Sequence, residues 1–250
     1  MSENLRLSVY VVLGASGGIG SALARRLAAQ GARLFLAGRR REALAELAHQ
    51  LGANYSVADL TAFAEVEGVV SEAAAHFGRL DGVANCVGSL ILKPAHATSE
   101  ADWQATVAAN LTSAFATVRA AARAMLKDGG SIALVSTAAA RAGFANHEAI
   151  AAAKGGVIGL TLAAAATYAP NGIRVNAVAP GLVETPLTAR LLASEAARAT
   201  SLAMHPLGRL GTPEDVASAL AWLLDPAQSW VTGQILGVDG GLATVRPKAR

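Results

Sequence analysis

Short apolar runs alternate with amphipathic stretches along almost the whole chain. The first run, residues 7–13, contains several β-branched side chains and ends at a glycine-rich turn. Beyond that turn Ile19, Leu23 and Leu27 recur every four residues, the spacing of one face of a helix. Because strands that alternate with helices form βαβ units, we predict an α/β fold: a three-layer, doubly wound parallel sheet with helices on both faces. The other predicted strands are residues 32–37, 54–57, 82–86, 131–136, 173–179 and 235–238.

The stretches between these strands have helical periodicity of different strength. A long helix is predicted over residues 99–126, and an alanine-rich helix over residues 147–168 with Asn146 as its N-cap. Residues 182–204 form a longer insertion in which the periodicity is weaker. Since no linker, charge block or internal repeat divides the 250 residues, we predict a single domain over residues 1–250.

Composition excludes several classes of protein. The only cysteine, Cys86, rules out an intramolecular disulfide and a cysteine-rich zinc site, and no other metal-ligand spacing occurs, so no metal is expected. Neither a signal peptide nor an uninterrupted apolar run of roughly 18 residues is found, which predicts a cytoplasmic protein that does not span a membrane. The net charge of +3 is dispersed rather than gathered in a basic stripe, so nucleic acid is not an expected partner.

The glycine-rich turn GASGGIG, residues 14–20, lies between a predicted strand and a predicted helix. Its glycines permit a tight turn and let the backbone approach a pyrophosphate, while the helix N-terminus offers free N–H groups. The alternative interpretation is a tight turn between a strand and a helix that binds no ligand. The spacing at Gly14, Gly18 and Gly20 is G-x-x-x-G-x-G, which differs from the general dinucleotide fingerprint.

This spacing resembles that of the short-chain dehydrogenase/reductase family, and motifs along nearly the whole chain agree with it. Asp59-Leu60, the segment Asn85 to Gly88, Asn110 in AANLTSAF and Pro180-Gly181 followed by Thr185 all match positions of that family. The resemblance implies an NAD(P)-dependent oxidoreductase with a Rossmann-type domain that assembles as a homotetramer or homodimer. It implies cofactor binding by Gly14, Ser16, Gly18, Ile19, Gly20, Arg39, Arg40, Asp59, Leu60, Asn85, Gly88, Lys154, Pro180, Gly181, Val183 and Thr185.

The end of the second predicted strand favours NADP(H) over NAD(H). NAD-preferring proteins carry an acidic residue there for the ribose 2′-hydroxyl, but this chain has Gly38 followed by Arg39, Arg40 and Arg41. A guanidinium can clasp a 2′-phosphate through two parallel hydrogen bonds. Gly17 lacks the basic side chain that many NADP-type relatives carry, and the arginines also suit the solvated start of a helix, so NAD(H) stays open.

The predicted reaction centre departs from the family pattern of serine, tyrosine and lysine. Lys154 is the lysine, Thr137 falls on the serine position, and Ile150 stands four residues before Lys154 where the tyrosine is expected. An isoleucine exchanges no proton, and a positioned acid contributes about 10²–10⁴-fold to rate. The predicted catalytic residues at the family's positions are therefore Asn110, Thr137 and Lys154.

His147 is the candidate replacement for the missing phenol. It lies seven residues before Lys154, two helical turns away on the same face, where the enoyl-reductase branch of the family has a tyrosine. A histidine titrates near neutrality and can act as an acid, although His147 also suits an ordinary polar helix start. Two functions follow: an oxidoreductase acting on a carbonyl or alcohol, an imine or an activated alkene, or a non-catalytic dinucleotide sensor or partner subunit.

The expected substrate wall is mostly apolar and predicts a small neutral or apolar substrate. Residues 90–92, Phe144 and residues 182–204 are expected around the cleft outside the strand ends. Four basic side chains are candidates for contact with an anionic group: Lys93, His96, Arg190 and His205. Ordinary exposure of a polar residue is the commoner explanation for such side chains.

Overall fold

The computed structural model describes residues 8–246, which form seven strands and eight α-helices within that range. The strands are β1 (Val9–Leu13), β2 (Arg33–Gly38), β3 (Asn54–Val57), β4 (Gly82–Asn85), β5 (Gly130–Val135), β6 (Ile173–Pro180) and β7 (Ile235–Val238). The helices are α1 (Gly18–Ala29), α2 (Arg41–Leu51), α3 (Phe63–Phe77), α4 (Glu100–Val107), α5 (Ser113–Met125), α6 (Glu148–Tyr168), α7 (Glu195–Met204) and α8 (Pro213–Leu224). Leu7, the predicted start of the first strand, lies outside the described residues.

All neighbouring strands pair in parallel in the order β3-β2-β1-β4-β5-β6-β7. This confirms the predicted doubly wound sheet. The strand order reverses between β1 and β4, because the chain crosses from one half of the sheet to the other there. In open α/β sheets such a reversal leaves a crevice at the carboxyl ends of the strands, which is where ligands bind.

Alternate side chains of β1 point into two separate apolar cores. Val9, Val11 and Leu13 are fully buried with residues of α3, α5 and α6, whereas Tyr10 and Val12 are buried with residues of α1, α2 and α8. A strand covered on both faces is apolar at every position, which explains the unbroken VYVVL run. The two cores hold the carboxyl ends of the strands in fixed positions.

The predicted long helix over residues 99–126 is interrupted. A π-turn over Ala108–Thr112 separates α4 from α5, and Asn110 lies within it. The side-chain amide of Asn110 donates to the carbonyl of Thr106 at 2.9 Å. Turns of this kind in helices are frequent at functional sites, and periodicity does not reveal them because the flanking helices stay in line.

One further local prediction needs correction, and one segment without a predicted structure is now defined. The N-cap of α6 is His147, not Asn146, because Asn146 has a left-handed backbone with φ of 63° and cannot be the residue that enters the helix. The weakly periodic residues 182–204 contain a short 3₁₀ turn at Ala189–Leu192 and the helix α7.

One segment, Glu148–Asn171, is long and apolar enough by composition to span a membrane, with mean hydropathy 1.6. It consists of α6 and the turn after it. Within the described part of the chain this helix packs against β5 and β6, and Val157 and Thr161 on its inner face are fully buried. Its apolar composition therefore reflects its place in the core layer of the domain.

Candidate active site

The glycine-rich turn packs so closely that two of its glycines cannot carry a side chain. Gly14 has φ of 78°, and a Cβ there would lie 2.9 Å from the Cys86 carbonyl group at the end of β4. A Cβ on Gly20 would lie 2.3 Å from the Gly14 carbonyl oxygen. The turn is therefore tight, as predicted, and it packs closely against the chain at the end of β4.

The N-terminus of α1 faces the crevice. Its N-cap, Gly17, provides no side-chain hydrogen bond, and its first turn contains no acidic residue. The free N–H groups of such a turn attract an anion. Gly18 and Ile19 line the adjoining cavity, and a Cβ on Gly18 would lie 2.8 Å from the Thr185 methyl carbon. The close approach of Thr185 joins this turn to the loop after β6.

The arginine cluster begins at the carboxyl end of β2. A Cβ on Gly38 would lie 2.9 Å from the Ser16 hydroxyl oxygen, and the Arg40 guanidinium donates to the Ser16 carbonyl. Arg39 is exposed and stands near Asp59. Hydrogen bonds from Thr61 lower the pKa of the Asp59 carboxyl, and the charge of Arg39 contributes a smaller part. Basic groups thus face the space beyond Gly38, where an acid would stand in an NAD-type site.

A cavity of about 590 Å³ lies beyond the carboxyl ends of β4, β5 and β6. It brings together eleven of the predicted site residues: Gly18, Ile19, Gly88, Asn110, Thr137, His147, Lys154, Pro180, Gly181, Val183 and Thr185. The other eight lie outside its lining, toward β2 and β3 or behind the wall: Gly14, Ser16, Gly20, Arg39, Arg40, Asp59, Leu60 and Asn85. The residues that line the cavity surround one end of an elongated site. Most of the eight residues outside its lining surround the other end of that site.

The side chains of Asn85 and Leu60 are buried and lie outside the cavity lining. The Asn85 side chain is buried, donates to the Thr117 hydroxyl at 2.8 Å and accepts from the Val87 N–H at 2.8 Å, so it shapes the loop before Gly88. The Leu60 side chain is buried in the core. Neither side chain is free to contact a ligand.

Asn110 ties its π-turn to the loop after β4. Its amide nitrogen donates to the Ser89 hydroxyl at 3.0 Å as well as to the Thr106 carbonyl, and its oxygen accepts from the Ser89 N–H at 3.3 Å. A Cβ on Gly88 would lie 3.1 Å from the Asn110 oxygen and 3.7 Å from Lys154 Nζ. Asn110 and Lys154 therefore meet at one point of the cavity floor, as the resemblance implied.

Lys154 is 7 % exposed, and its ammonium donates to the Val135 carbonyl at 2.7 Å. Burial lowers the pKa of Lys154 to about 8. The Ser136 hydroxyl donates to the backbone carbonyl of Lys154 at 2.9 Å, which fastens α6 to the end of β5. Thr137 lines the cavity beside it, and its hydroxyl oxygen accepts from the Ala139 N–H at 3.3 Å.

Ile150 and His147 both line the same cavity as Lys154. Ile150 is 4 % exposed and presents an apolar side chain one turn before the lysine. His147 is partly buried at the start of α6, with Nδ1 2.8 Å from the Ala145 carbonyl oxygen and its ring 5.6 Å from the Phe144 ring. The predicted neighbourhood of these three residues is therefore present.

The predicted contacts of basic residues with an anionic group need correction at all four positions, and His96 and Arg190 lie outside the cavity lining. The Lys93 ammonium is paired with the Asp102 carboxylate at 2.7 Å and lies outside the cavity lining. His205 does line the cavity, but it is buried and both ring nitrogens already contact backbone groups of the protein. Sequence reasoning missed these two contacts, because the partners of His205 belong to two segments that only the fold brings together.

The arrangement fits a dinucleotide that runs across the top of the sheet. At its centre, a turn in which Gly14 and Gly20 have no room for a side chain meets a helix N-terminus without a side-chain cap. Basic groups stand beyond β2 at one end, and Lys154 stands with the loop after β6 at the other. Within residues 8–246 no cluster of three or more metal-ligating side chains is found. The groups present are those that hold a phosphate bridge and a sugar.

Comparison with known proteins agrees with this site. A family model described as enoyl-(acyl carrier protein) reductase matches residues 14–243. The chain is 42 % identical to a cis-4-hydroxycyclohexanecarboxylate dehydrogenase of Sinomonas cyclohexanicum, over 98 % of this chain and 100 % of the relative. It is 36 % identical to a 3-oxoacyl-[acyl-carrier-protein] reductase of Thermotoga maritima, over 94 % of this chain and 97 % of the relative.

A solved structure has the same fold throughout. A variant of actinorhodin polyketide ketoreductase with NADPH superposes with a TM-score of 0.91 and 31 % identity, covering 96 % of this chain and 99 % of that protein. The chain therefore belongs to the short-chain dehydrogenase/reductase family and is an NAD(P)-dependent oxidoreductase.

Proposed function

We propose that this oxidoreductase uses NADP(H) and acts on a small neutral or apolar carbonyl or alcohol, imine or activated alkene, with His147 as the proton donor in place of a tyrosine. One observation carries the proposal. In the cavity that Lys154 lines, the position one turn earlier on α6 is the apolar Ile150, and His147 stands one turn before that. A reduced carbonyl oxygen needs a proton, and His147 is the residue placed to supply it.

The other titratable side chains among the described lining residues of the cavity are Cys86, Lys154 and His205. Cys86 and His205 are poor proton donors, and the proposal assigns Lys154 to the sugar of the dinucleotide. Burial raises the pKa of the Cys86 thiol to about 12, so it holds its proton near neutral pH. Both ring nitrogens of His205 are engaged with the backbone, and the Lys154 ammonium is engaged with the Val135 carbonyl.

The geometry of His147 leaves one ring nitrogen available. Because a carbonyl oxygen only accepts, Nδ1 of His147 must donate to Ala145, which assigns the proton of the neutral ring to Nδ1. Nε2 has no hydrogen-bond partner among residues 8–246. In the charged ring Nε2 carries the second proton, which it can release toward the cavity and recover from solvent, since His147 is partly exposed.

The preference for NADP(H) is supported by charge. Gly38 supplies no carboxylate, and the exposed Arg39 and Arg40 stand next to it on the side of Ser16. A bound dinucleotide supplies or accepts the hydride. The protein's part is to hold the phosphates on α1, to orient the sugar with Lys154 and to exclude water with apolar walls.

The walls of the cavity support a neutral or apolar substrate. The large apolar side chains of the cavity lining include Leu90, Leu92, Phe144, Leu187, Leu191 and Met204. The described lining contains no arginine and no carboxylate. An imine carries its own basic nitrogen, and an activated alkene takes its proton on carbon, so a histidine suits these as well as a ketone.

The test is turnover with NADPH against a panel of ketones, imines and enones. We expect activity in the wild-type protein that falls at least 100-fold in His147→Ala and is unchanged in His49→Ala, a histidine on α2 far from the cavity. Equal activity in wild-type protein and His147→Ala would exclude the histidine donor. Tight NADPH binding without turnover of any substrate would favour the alternative, a non-catalytic sensor or partner subunit.

We also propose that the protein is cytoplasmic and forms a homo-oligomer, a tetramer by resemblance to the family. Large apolar side chains lie on the surface of the described chain: Trp230 is 98 % exposed, Leu162 52 % and Phe115 49 %. Exposed aromatic residues of this size are typical of interfaces. Native mass spectrometry of the purified protein tests this, and a monomer at micromolar concentration would contradict it.

A further inference from the structure

His205 lies between the end of α7 and the loop that follows β6. It is 5 % exposed. Its Nε2 accepts from the Leu182 N–H at 3.2 Å, and its Nδ1 lies 2.7 Å from the Ser201 carbonyl oxygen. Because an N–H only donates and a carbonyl only accepts, these two contacts fix a neutral ring with its proton on Nδ1.

The ring also fills the space that a side chain at position 181 would need. A Cβ on Gly181 would lie 2.8 Å from His205 Nε2 and 3.0 Å from Asp239 Cα. The Gly181–Leu182 peptide is therefore held on one side by the imidazole and on the other by the chain after β7. Val183, the next residue, is held by its bridge to Gly211.

The two segments joined by His205 form different parts of the cavity. Gly181, Val183 and Thr185 are on the side predicted to hold the nicotinamide, and Ala197, Thr200, Ser201 and Met204 of α7 form part of the opposite wall. α7 has no buried residue of its own. A helix with so little apolar anchorage needs a specific contact to keep its place against the loop.

We propose that His205 is a positioning residue that fixes the loop on the nicotinamide side and fastens α7 to it. Both the binding of the nicotinamide and the position of the substrate wall then depend on this one imidazole. This inference rests on the proposed function, because it assigns the nicotinamide to the loop after β6. The ring acts only through backbone groups: it shapes the loop and contacts neither hydride nor proton.

Binding of a whole dinucleotide and of a truncated one separates this role from a general structural one. NADPH and 2′-phospho-ADP-ribose share the adenosine and phosphate end, but only NADPH carries the nicotinamide. We expect His205→Leu to weaken NADPH binding about tenfold, the effect of one or two hydrogen bonds, and to leave binding of the truncated ligand unchanged. His205→Gln, whose amide both donates and accepts, should restore most of the NADPH affinity.

Several results would overturn the proposal. These are unchanged NADPH affinity in His205→Leu, equal weakening of both ligands, or a glutamine variant that behaves like the leucine variant. If the wild-type protein binds the truncated ligand but NADPH no better, the loop does not hold a nicotinamide and this proposal alone fails. If it binds neither ligand, the proposed function itself fails and takes this inference with it.

A second measurement needs no variant. The ¹⁵N chemical shifts of the imidazoles in the wild-type protein report which ring nitrogen of each histidine is protonated. We expect the His205 resonance to show a protonated Nδ1 and a bare Nε2 at neutral pH. A proton on Nε2 is incompatible with the hydrogen bond from Leu182 and would refute the proposal even if His205→Leu did not fold.

Discussion

Ile150 and Lys154 lie one turn apart on the same face of α6, and both side chains line one cavity while remaining less than a tenth exposed. The lysine ammonium has the Val135 carbonyl as its partner, at 2.7 Å. The position from which a hydroxyl would face both the cavity and the lysine is thus filled by a hydrocarbon. At position 150 the cavity is therefore lined by a side chain that exchanges no proton.

Replacing the hydrocarbon with a phenol should increase carbonyl reduction. Ile150→Tyr puts a hydroxyl one turn before Lys154, and the adjoining cavity of about 590 Å³ has room for the larger ring. A positioned acid contributes about 10²–10⁴-fold, and His147 is proposed to supply part of that already, so we expect ketone reduction to rise by at least about tenfold. The measurement is kcat/KM with NADPH, and Ile150→Phe, which has the same ring without the hydroxyl, is the control. Equal rates in the two variants would contradict the prediction.

Lys154 should make stability depend on pH. Burial lowers the pKa of Lys154 to about 8 in the folded protein, whereas the unfolded side chain keeps its proton up to its ordinary pKa of 10.5. Between these values unfolding takes up a proton, so the contribution of Lys154 to the free energy of unfolding rises with pH across that window. Below pH 8 Lys154 is protonated in both states, and its burial lowers the free energy of unfolding by a constant amount.

The comparison that isolates this effect is Lys154→Met, a side chain of similar length that does not titrate. From pH 7 to pH 9.5 we expect the wild-type protein to gain about 2 kcal/mol of stability relative to the variant, measured by urea unfolding. The buried Cys86 thiol is present in both proteins, so its own titration largely cancels. Parallel pH curves for the two proteins would show that Lys154 is not desolvated.

Removal of Arg39 should reduce the preference for NADP(H). A charged hydrogen bond contributes about 1.5–3 kcal/mol, so Arg39→Ala is expected to lower kcat/KM for NADPH about 10- to 100-fold and to leave that for NADH within about twofold. Arg25→Ala, an exposed arginine on α1 away from Gly38, is the control for a general loss of positive charge. A parallel loss with NADPH and NADH would contradict a 2′-phosphate contact.

Two glycines in helices give a matched pair of substitutions. A Cβ on Gly20 would lie 2.3 Å from the Gly14 carbonyl oxygen, whereas a Cβ on Gly68 in α3 meets nothing within 4 Å. We expect Gly20→Ala to cost about 1–3 kcal/mol and to abolish dinucleotide binding, because the turn must open. Gly68→Ala should stabilise the protein by up to about 1 kcal/mol with binding unchanged. Thermal unfolding and NADPH titration measure both, and tolerance of Gly20→Ala would disprove the close packing.

The sequence by itself determined the layered fold and much of the site. Strands buried on both faces must be apolar throughout, as β1 is, and a turn with glycine at positions 14 and 20 admits no other residue, so both leave a clear local pattern. The lysine on α6 and the isoleucine four residues before it are also fixed by spacing along one helix. The positive φ of Gly14, the contact of Gly20 with Gly14 and the spacing on α6 depend on neighbours close in the chain, whereas the approach of Gly14 to Cys86 does not.

Only the tertiary structure decided what depends on distant partners. The π-turn at Asn110 is fastened by contacts with the loop after β4, 21 residues away in the chain. The sequence favours an exposed cation at His205. In the structure its ring is buried, and it contacts Leu182 and Ser201, which belong to separate segments. Such contacts leave no periodic trace in the sequence, because a hydrogen bond specifies the positions of two groups in space and not their separation along the chain.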